Sequence, residues 1–164
     1  MTLRLPSLLE LALLVVIGGS VLAVMVPAFF NSLHASRLSE AVQGVQAIGA
    51  GAVAYAERKP LPEAFPPAAP LTPAEVPRGR RVADAPGTWD HLTWAALGFS
   101  IPYEHYFSFS FESANSSDLA SFLAQAHGDL DGDGERSTFE VRGQTTIDQG
   151  PRLLPGLFID REVE

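Results

Sequence analysis

The chain has no cysteine among its 164 residues, and this absence excludes two kinds of chemistry. No disulfide can stabilise a folded domain, and no thiolate can serve as a nucleophile. Because exported domains also fold without disulfides, the missing cysteines do not assign the chain to a compartment.

Basic residues are also in short supply. Eleven Lys and Arg stand against nineteen Asp and Glu, which gives a formal net charge of -8. A nucleic-acid-binding protein needs a basic surface to neutralise phosphates, so we expect no nucleic-acid partner. An acidic balance favours the solubility of whatever part of the chain lies outside a membrane.

Catalytic patterns are equally scarce. The four histidines, His34, His91, His105 and His127, show no metal-ligand spacing, and no glycine-rich loop suited to phosphate is present. His105 stands among aromatic residues, which is more typical of a packed side chain than of a catalyst. We therefore expect that the protein is not an enzyme.

A long apolar run is the most prominent feature that the sequence does contain. It covers residues 7–30, and its only charged residue is Glu10. About 20 apolar residues in a helix suffice to cross a bilayer. A carboxylate inside such a segment costs about 3 kcal/mol on insertion scales, so it indicates a function and needs a partner. A nearby amine is the obvious partner.

The residues around Glu10 resemble a known family. Pro6-Ser-Leu-Leu-Glu10 precedes the apolar run, Gly19 lies inside it, and Pro27 follows Glu10 by seventeen residues. This arrangement resembles the N-terminal segment of type IV pilins and of type II secretion pseudopilins. The resemblance implies that Glu10 neutralises the N-terminal amine of a neighbouring subunit as it leaves the inner membrane for a helical filament.

The family also implies that a short leader is removed, which leaves Glu as the fifth residue of the mature chain. Here the leader would be residues 1–5, and the cut would fall between Leu5 and Pro6. The family's peptidase expects Gly before the cut and a hydrophobic residue, commonly Phe, after it, so this processing site departs from the pattern. The alternative is a secretory signal peptide, whose apolar region is shorter, at about 7 to 15 residues.

The helical pattern continues beyond the membrane segment of residues 6–30. Apolar residues recur at steps of three and four through residues 31–59, which predicts one amphipathic helix over residues 8–58. Pro27 is expected to kink it. The glycines at 18, 19, 44, 49 and 51 admit two interpretations. They provide close approach between helices of an assembly or a local loosening of the helix, or they are defects that packing tolerates.

Residues 60–88 are predicted to form a connecting loop. Lys59-Pro60 ends the helix, and the prolines that follow leave room only for short extended pieces. The loop carries a basic cluster, Arg78-Gly-Arg-Arg81. This cluster is interpreted either as a solvated turn or as a site for a partner.

Residues 89–164 are predicted to form an antiparallel sheet. Phe107, Phe109 and Phe111 alternate with serines, as in a half-buried strand. A turn is predicted over residues 113–117, further strands over residues 119–126 and 137–142, and a last one over residues 157–160. With the long helix as a cover for the sheet, the sequence predicts an α+β fold, and the resemblance implies that it is the pilin fold.

An acidic turn supplies the one candidate metal site. Asp129, Asp131, Asp133 and Glu140, with Gly134 between them, match the calcium-loop spacing D-x-D-x-D-G-x5-E, and Glu135 adds another carboxylate. Carboxylates at this spacing suit Ca²⁺. The alternative is a plain hairpin turn, because the residues from Ser137 onward favour a strand that would carry Glu140 away.

The resemblance to type IV pilins, which these patterns fit, implies a structural subunit of a type IV pilus-like filament. Its partners would be identical or homologous subunits, the inner membrane before assembly, and the pilus assembly machinery. Two alternatives stay open: a type II secretion pseudopilin, and a single-pass membrane protein with a calcium-binding outer domain that does not polymerise. A role in adhesion, motility or secretion is not distinguished by the resemblance.

Overall fold

The computed structural model of the chain describes residues 7–161, apart from the side chains of residues 30–36. One helix, α1 (Leu8–Ala56), runs through 49 residues and confirms the long helix expected from the periodicity. By their contacts the residues divide into two compact units, residues 1–37 and residues 38–164. Pro27 lies inside α1 in the first unit, and the kink expected there stays a prediction.

The second unit contains both helices and β-strands, which confirms the α+β class. After α1 come a 3-10 helix (Leu61–Glu63), strand β1 (Ala69–Thr72) and a short helix α2 (Leu92–Leu97). Strands β2 (Phe107–Asn115), β3 (Leu119–Gly128), β4 (Ser137–Thr146), β5 (Arg152–Leu153) and β6 (Phe158–Asp160) follow. Among the described residues, these six strands form one antiparallel sheet in the order β1-β2-β3-β4-β5, with β6 also paired to β4.

The buried face of the sheet is built from phenylalanines that alternate with small residues. Phe107, Phe109 and Phe111 on β2 are fully buried, as the Phe and Ser alternation predicts. Across the strand pairing, Phe109 stands opposite Ala126, which in turn stands opposite Phe139 on β4. An alanine between two rings lets the large side chains fill the core without collision.

The part of α1 in this unit covers the phenylalanine face. Its fully or nearly fully buried residues recur every three or four positions: Ala41, Val45, Ile48, Ala52 and Ala56. A Cβ atom at Gly44 would lie 2.2 Å from Phe109 Cε1, and one at Gly51 would lie 2.2 Å from the backbone oxygen of Leu97 in α2. These two glycines therefore have a packing role inside the chain's own domain, which neither sequence interpretation had included.

The connecting segment is less separate from the sheet than the sequence suggests. Its residues Ala69–Thr72 form β1 and pair with β2. Strand β2 also extends to Asn115, so the turn predicted over residues 113–117 is wrong for its first three residues. The reason is tertiary: the Asn115 side chain accepts a hydrogen bond from Phe65 N at 3.1 Å and donates one to Phe65 O at 2.9 Å.

The packing of Gly51 leads to a direct test. We expect Gly51→Ala to lower the free energy of unfolding, because the added methyl group would collide with backbone that cannot rotate away. Overpacking costs about 1–3 kcal/mol, which exceeds the gain of up to about 1 kcal/mol in helix propensity. Denaturation of the full chain in detergent, followed by circular dichroism, measures the change.

Gly49→Ala is the matched control. A Cβ there would lie 2.8 Å from Leu153 Cδ2, the end of a flexible and exposed side chain that can move aside, and 3.2 Å from Cγ1 of the buried Val141, which would have to shift only slightly. We expect this variant to lose clearly less stability than Gly51→Ala. Equal losses at both positions would contradict the assigned contact with α2.

Candidate functional site

The first unit presents a continuous apolar surface. Residues Leu8–Phe29 form a 22-residue stretch with a mean hydropathy of 2.5, long and apolar enough to cross a membrane. Every side chain in this stretch is exposed. A helix of this length and composition is compatible with a membrane span.

Glu10 lies in the first turn of α1 and is bonded to Ser7. Glu10 Oε2 accepts hydrogen bonds from Ser7 N at 2.7 Å and from Ser7 Oγ at 2.9 Å, and Glu10 N donates to Ser7 Oγ at 3.3 Å. Leu11 N donates the first helical bond to the Ser7 carbonyl at 3.0 Å. These are the reciprocal bonds of a capping box, in which the N-cap serine and the third helical residue satisfy each other's backbone.

The capping box gives Glu10 a partner within its own chain. A carboxylate in the first turn also interacts favourably with the helix dipole. Sequence reasoning missed Ser7, although the Ser-x-x-Glu spacing before an apolar run is the signal for this motif. The pairing of Glu10 with an amine of another subunit stays a prediction.

Other residues expected to act in assembly or processing are placed as follows. Leu5 and Pro6, the predicted processing site, lie outside the described residues. Pro27 is within α1. Gly18 and Gly19 have open space where a Cβ would stand, with no atom within 4 Å, so both present bare backbone at the apolar surface.

The acidic turn joins β3 to β4 in the second unit. Asp129, Asp131 and Asp133 each offer one carboxylate oxygen, and the three oxygens lie within 4.8 Å of one another. Asp129 is only 2% exposed, whereas Asp131 and Asp133 are exposed. The aspartates also shape the turn, since Asp129 accepts bonds from Gly132 N at 2.7 Å and Gly134 N at 3.1 Å.

The two glutamates of the predicted metal site are engaged elsewhere. Glu140 is on β4 opposite Gln125, and its carboxylate accepts from Gln125 Nε2 at 2.7 Å and from Arg142 Nη2 at 3.0 Å. Glu135 forms an ion pair with Arg161. Strand pairing carries Glu140 out of the turn, so the cluster consists of the three aspartates without the bidentate glutamate of a calcium loop.

Three clustered carboxylates can serve as hard oxygen ligands for a divalent cation. The same three residues also work as turn formers: Asp131 accepts from Asp133 N at 3.1 Å, and Asp133 accepts from Glu135 N at 2.7 Å. The calcium site and the hairpin turn, the two hypotheses from the sequence, thus involve the same three side chains. Calcium binding at Asp129, Asp131 and Asp133 therefore stays a prediction.

The described histidines have structural partners. His105 is fully buried, as expected from its aromatic surroundings. Its Nδ1 lies 2.7 Å from the carbonyl oxygen of Phe107, and its Nε2 lies 2.9 Å from Asp84 Oδ2. The same Asp84 oxygen accepts a bond from Trp89 Nε1 at 2.7 Å. This cluster fastens the connecting segment to the start of β2.

Glu40 on α1 is a half-buried ionisable group in this unit. Its Oε1 accepts a hydrogen bond from Tyr106 N at 2.6 Å. Burial raises the pKa of the Glu40 carboxyl above its ordinary value, although the Tyr106 bond and the nearby charges of His105 and Arg81 act in the opposite direction. The Glu40 carboxylate thus accepts a hydrogen bond from the backbone N–H of Tyr106, which lies just before β2.

Comparison with known proteins gives no family assignment. No protein-family model matches the chain, and no match was found among the curated proteins or among the solved structures. The site must therefore be interpreted from its own geometry.

The aspartate cluster predicts a calcium effect that can be measured. Millimolar Ca²⁺ should raise the melting temperature of the full chain in detergent, since a ligand that binds only the folded state stabilises it by mass action. Asp131→Asn should abolish the increase, because it removes a charge from the cluster but keeps an oxygen for the bond from Asp133 N. Asp118→Asn, an exposed acid outside the turn, should retain it. An unchanged melting curve at millimolar Ca²⁺ would identify the turn as a structural hairpin alone.

Glu40 predicts a pH dependence of stability. A carboxyl whose pKa is raised on folding binds its proton more tightly in the folded state, so its contribution declines as pH rises from the ordinary carboxyl range through the raised pKa. Glu40→Gln keeps the acceptor for Tyr106 N and carries no charge. We therefore expect the melting temperature of the variant, relative to the unmodified chain, to increase from about pH 4 to pH 7.

The exposed Glu63→Gln is the control for Glu40, and scanning calorimetry at a series of pH values is the measurement. The difference in melting temperature between Glu63→Gln and the unmodified chain should vary less with pH. If the melting temperature of Glu40→Gln, relative to the unmodified chain, stays constant or falls as pH rises, burial does not dominate the pKa of Glu40.

Proposed function

We propose that this chain is a type IV pilin-like subunit, which polymerises into a filament through the N-terminal part of α1. The observation that carries the proposal is the apolar stretch Leu8–Phe29, every residue of which is exposed. It is supported by a carboxylate in the first turn of that stretch and by a small α+β domain built on the later residues of the same helix.

The proposed subunit resides first in the inner membrane. Residues Leu8–Phe29 would span the bilayer, with the N-terminus in the cytoplasm and the acidic domain in the periplasm. In the filament the same apolar residues would pack against copies of themselves, where lipid is replaced by neighbouring helices. Bare backbone at Gly18 and Gly19 would allow these helices to approach closely.

Glu10 has two roles to be separated. As part of the capping box it stabilises the start of α1 within one chain. As a buried charge in a filament it would need an amine, and the amine proposed is the N-terminus of a neighbouring subunit. The first role requires only a hydrogen-bond acceptor, whereas the second requires a negative charge.

The two alternative functions are supported by some of the same observations. A type II secretion pseudopilin would use the same apolar helix and the same Glu10. A single-pass membrane protein that does not polymerise is favoured specifically by the aspartate cluster at residues 129–133, which would give such a protein a calcium-binding outer domain.

The difference between the two roles of Glu10 gives the test. Glu10→Gln keeps an oxygen that can accept from Ser7 but removes the charge, whereas Ser7→Ala breaks the capping box and leaves the charge. We expect Glu10→Gln to reduce filament yield severely and Ser7→Ala to reduce it only slightly. Electron microscopy of filaments sheared from cells that express the chain with a pilus assembly machinery measures the yield.

Membrane fractionation supplies the control, because both variants should insert as well as the unmodified chain. Equal yields from Glu10→Gln and the unmodified chain would contradict the pairing with an amine. If the unmodified chain stays in the membrane fraction and forms no filaments, the non-polymerising alternative is favoured over both pilin-like functions.

A further inference from the structure

An open, polar surface cavity, lined mostly by exposed residues, lies beside the acidic turn in the second unit. Its volume is about 590 Å³, and it is lined by one part of the connecting segment and one residue of the β3–β4 turn. The polar side chains are those of Arg78, Arg80, Arg136 and Glu75, with Val76 and Val82 among the apolar ones. Folding thus places Arg78 and Arg80, two arginines of the basic cluster, around the same cavity as Arg136, which is more than fifty residues away in sequence.

These three arginines differ from others in the domain. Arg142 and Arg161 form ion pairs with Glu140 and Glu135. Within residues 7–161, by contrast, no ion pair joins Arg78, Arg80 or Arg136 to a carboxylate. Three arginines and one acidic residue, Glu75, line the cavity, and the aspartates of the acidic turn lie beside it. The lining itself thus carries more positive than negative charge, which attracts anions.

The backbone that carries the arginines is fixed in place. Gly79 N donates to Asp129 O at 2.7 Å, and Arg78 forms a parallel bridge with Asp129. Gly79 has a φ of 61°, a left-handed conformation that glycine adopts without strain. Val76 and Pro77 just before it are buried. The side chains of Arg78 and Arg80 therefore start from or beside anchored backbone, which lowers the entropy lost when a ligand orders them.

We propose that this cavity binds a small multivalent oxyanion, a ligand that carries phosphate or carboxylate groups. Guanidinium groups match both by paired, charge-assisted hydrogen bonds. The volume falls within the range of about 300 to 1,000 Å³ that is usual for ligand pockets. A long nucleic acid is disfavoured as the ligand, because the acidic remainder of the chain repels an extended polyanion. The inference depends on the cavity alone and holds whether or not the chain polymerises.

The test measures binding of two probes to the full chain in detergent by isothermal titration calorimetry. Inorganic tripolyphosphate represents the phosphate class and citrate the carboxylate class. We expect at least one to bind, with an affinity that Arg80→Gln and Arg136→Gln each weaken tenfold or more. The probe that binds more tightly identifies the class of oxyanion.

Arg142→Gln is the matched control, since it removes the same charge from an exposed residue outside the cavity. We expect it to leave the affinity within twofold of the unmodified chain. Arg80 and Arg136 are both exposed, so their replacement should leave the melting temperature unchanged, which is checked for each variant. The proposal is overturned if neither probe binds at millimolar concentration, or if Arg142→Gln weakens binding as much as Arg136→Gln.

Discussion

The contact between the later residues of α1 and the phenylalanine face of β2 is the interaction on which the second unit depends. A sheet with one apolar face needs a cover, and the helix supplies it with a strip of small and β-branched residues. Gly44 brings the helix backbone against the Phe109 ring, and Gly51 brings it against α2. Both α2 and the sheet are thereby held to one helix, so a change in helix position would expose the aromatic core.

The connecting segment extends this arrangement to the edge of the sheet. Strand β1 pairs with β2 and so occupies hydrogen-bonding groups that an open edge would present to other chains. The bonds between Asn115 and Phe65, and between Asp84 and His105, fix the segment at two further places. Because the segment is anchored, its arginines keep a defined position beside the acidic turn.

The two parts of α1 are subject to different constraints. Residues Leu8–Phe29 are apolar on all sides and exposed, which suits a surrounding of lipid or of other helices. Beyond Leu38 the buried residues follow one stripe, and polar residues such as Gln43 and Gln46 are exposed. This division fits the proposed function, in which the apolar part would pass from membrane to filament while the later part would stay within its own folded unit.

The sequence by itself determined the features that depend on local periodicity: the long helix, the apolar span, the alternating phenylalanine strand and the cluster of aspartates. Only the tertiary structure decided features that depend on residues far apart in the chain. Strand pairing placed Glu140 opposite Gln125 instead of in the metal cluster, and the contact of Gly51 with Leu97 explained a glycine that helix propensity disfavours. Arg136 likewise joined Arg78 and Arg80 through folding alone. Periodicity records which face of an element is buried, but the neighbour that covers it is selected by packing and hydrogen bonding between distant segments.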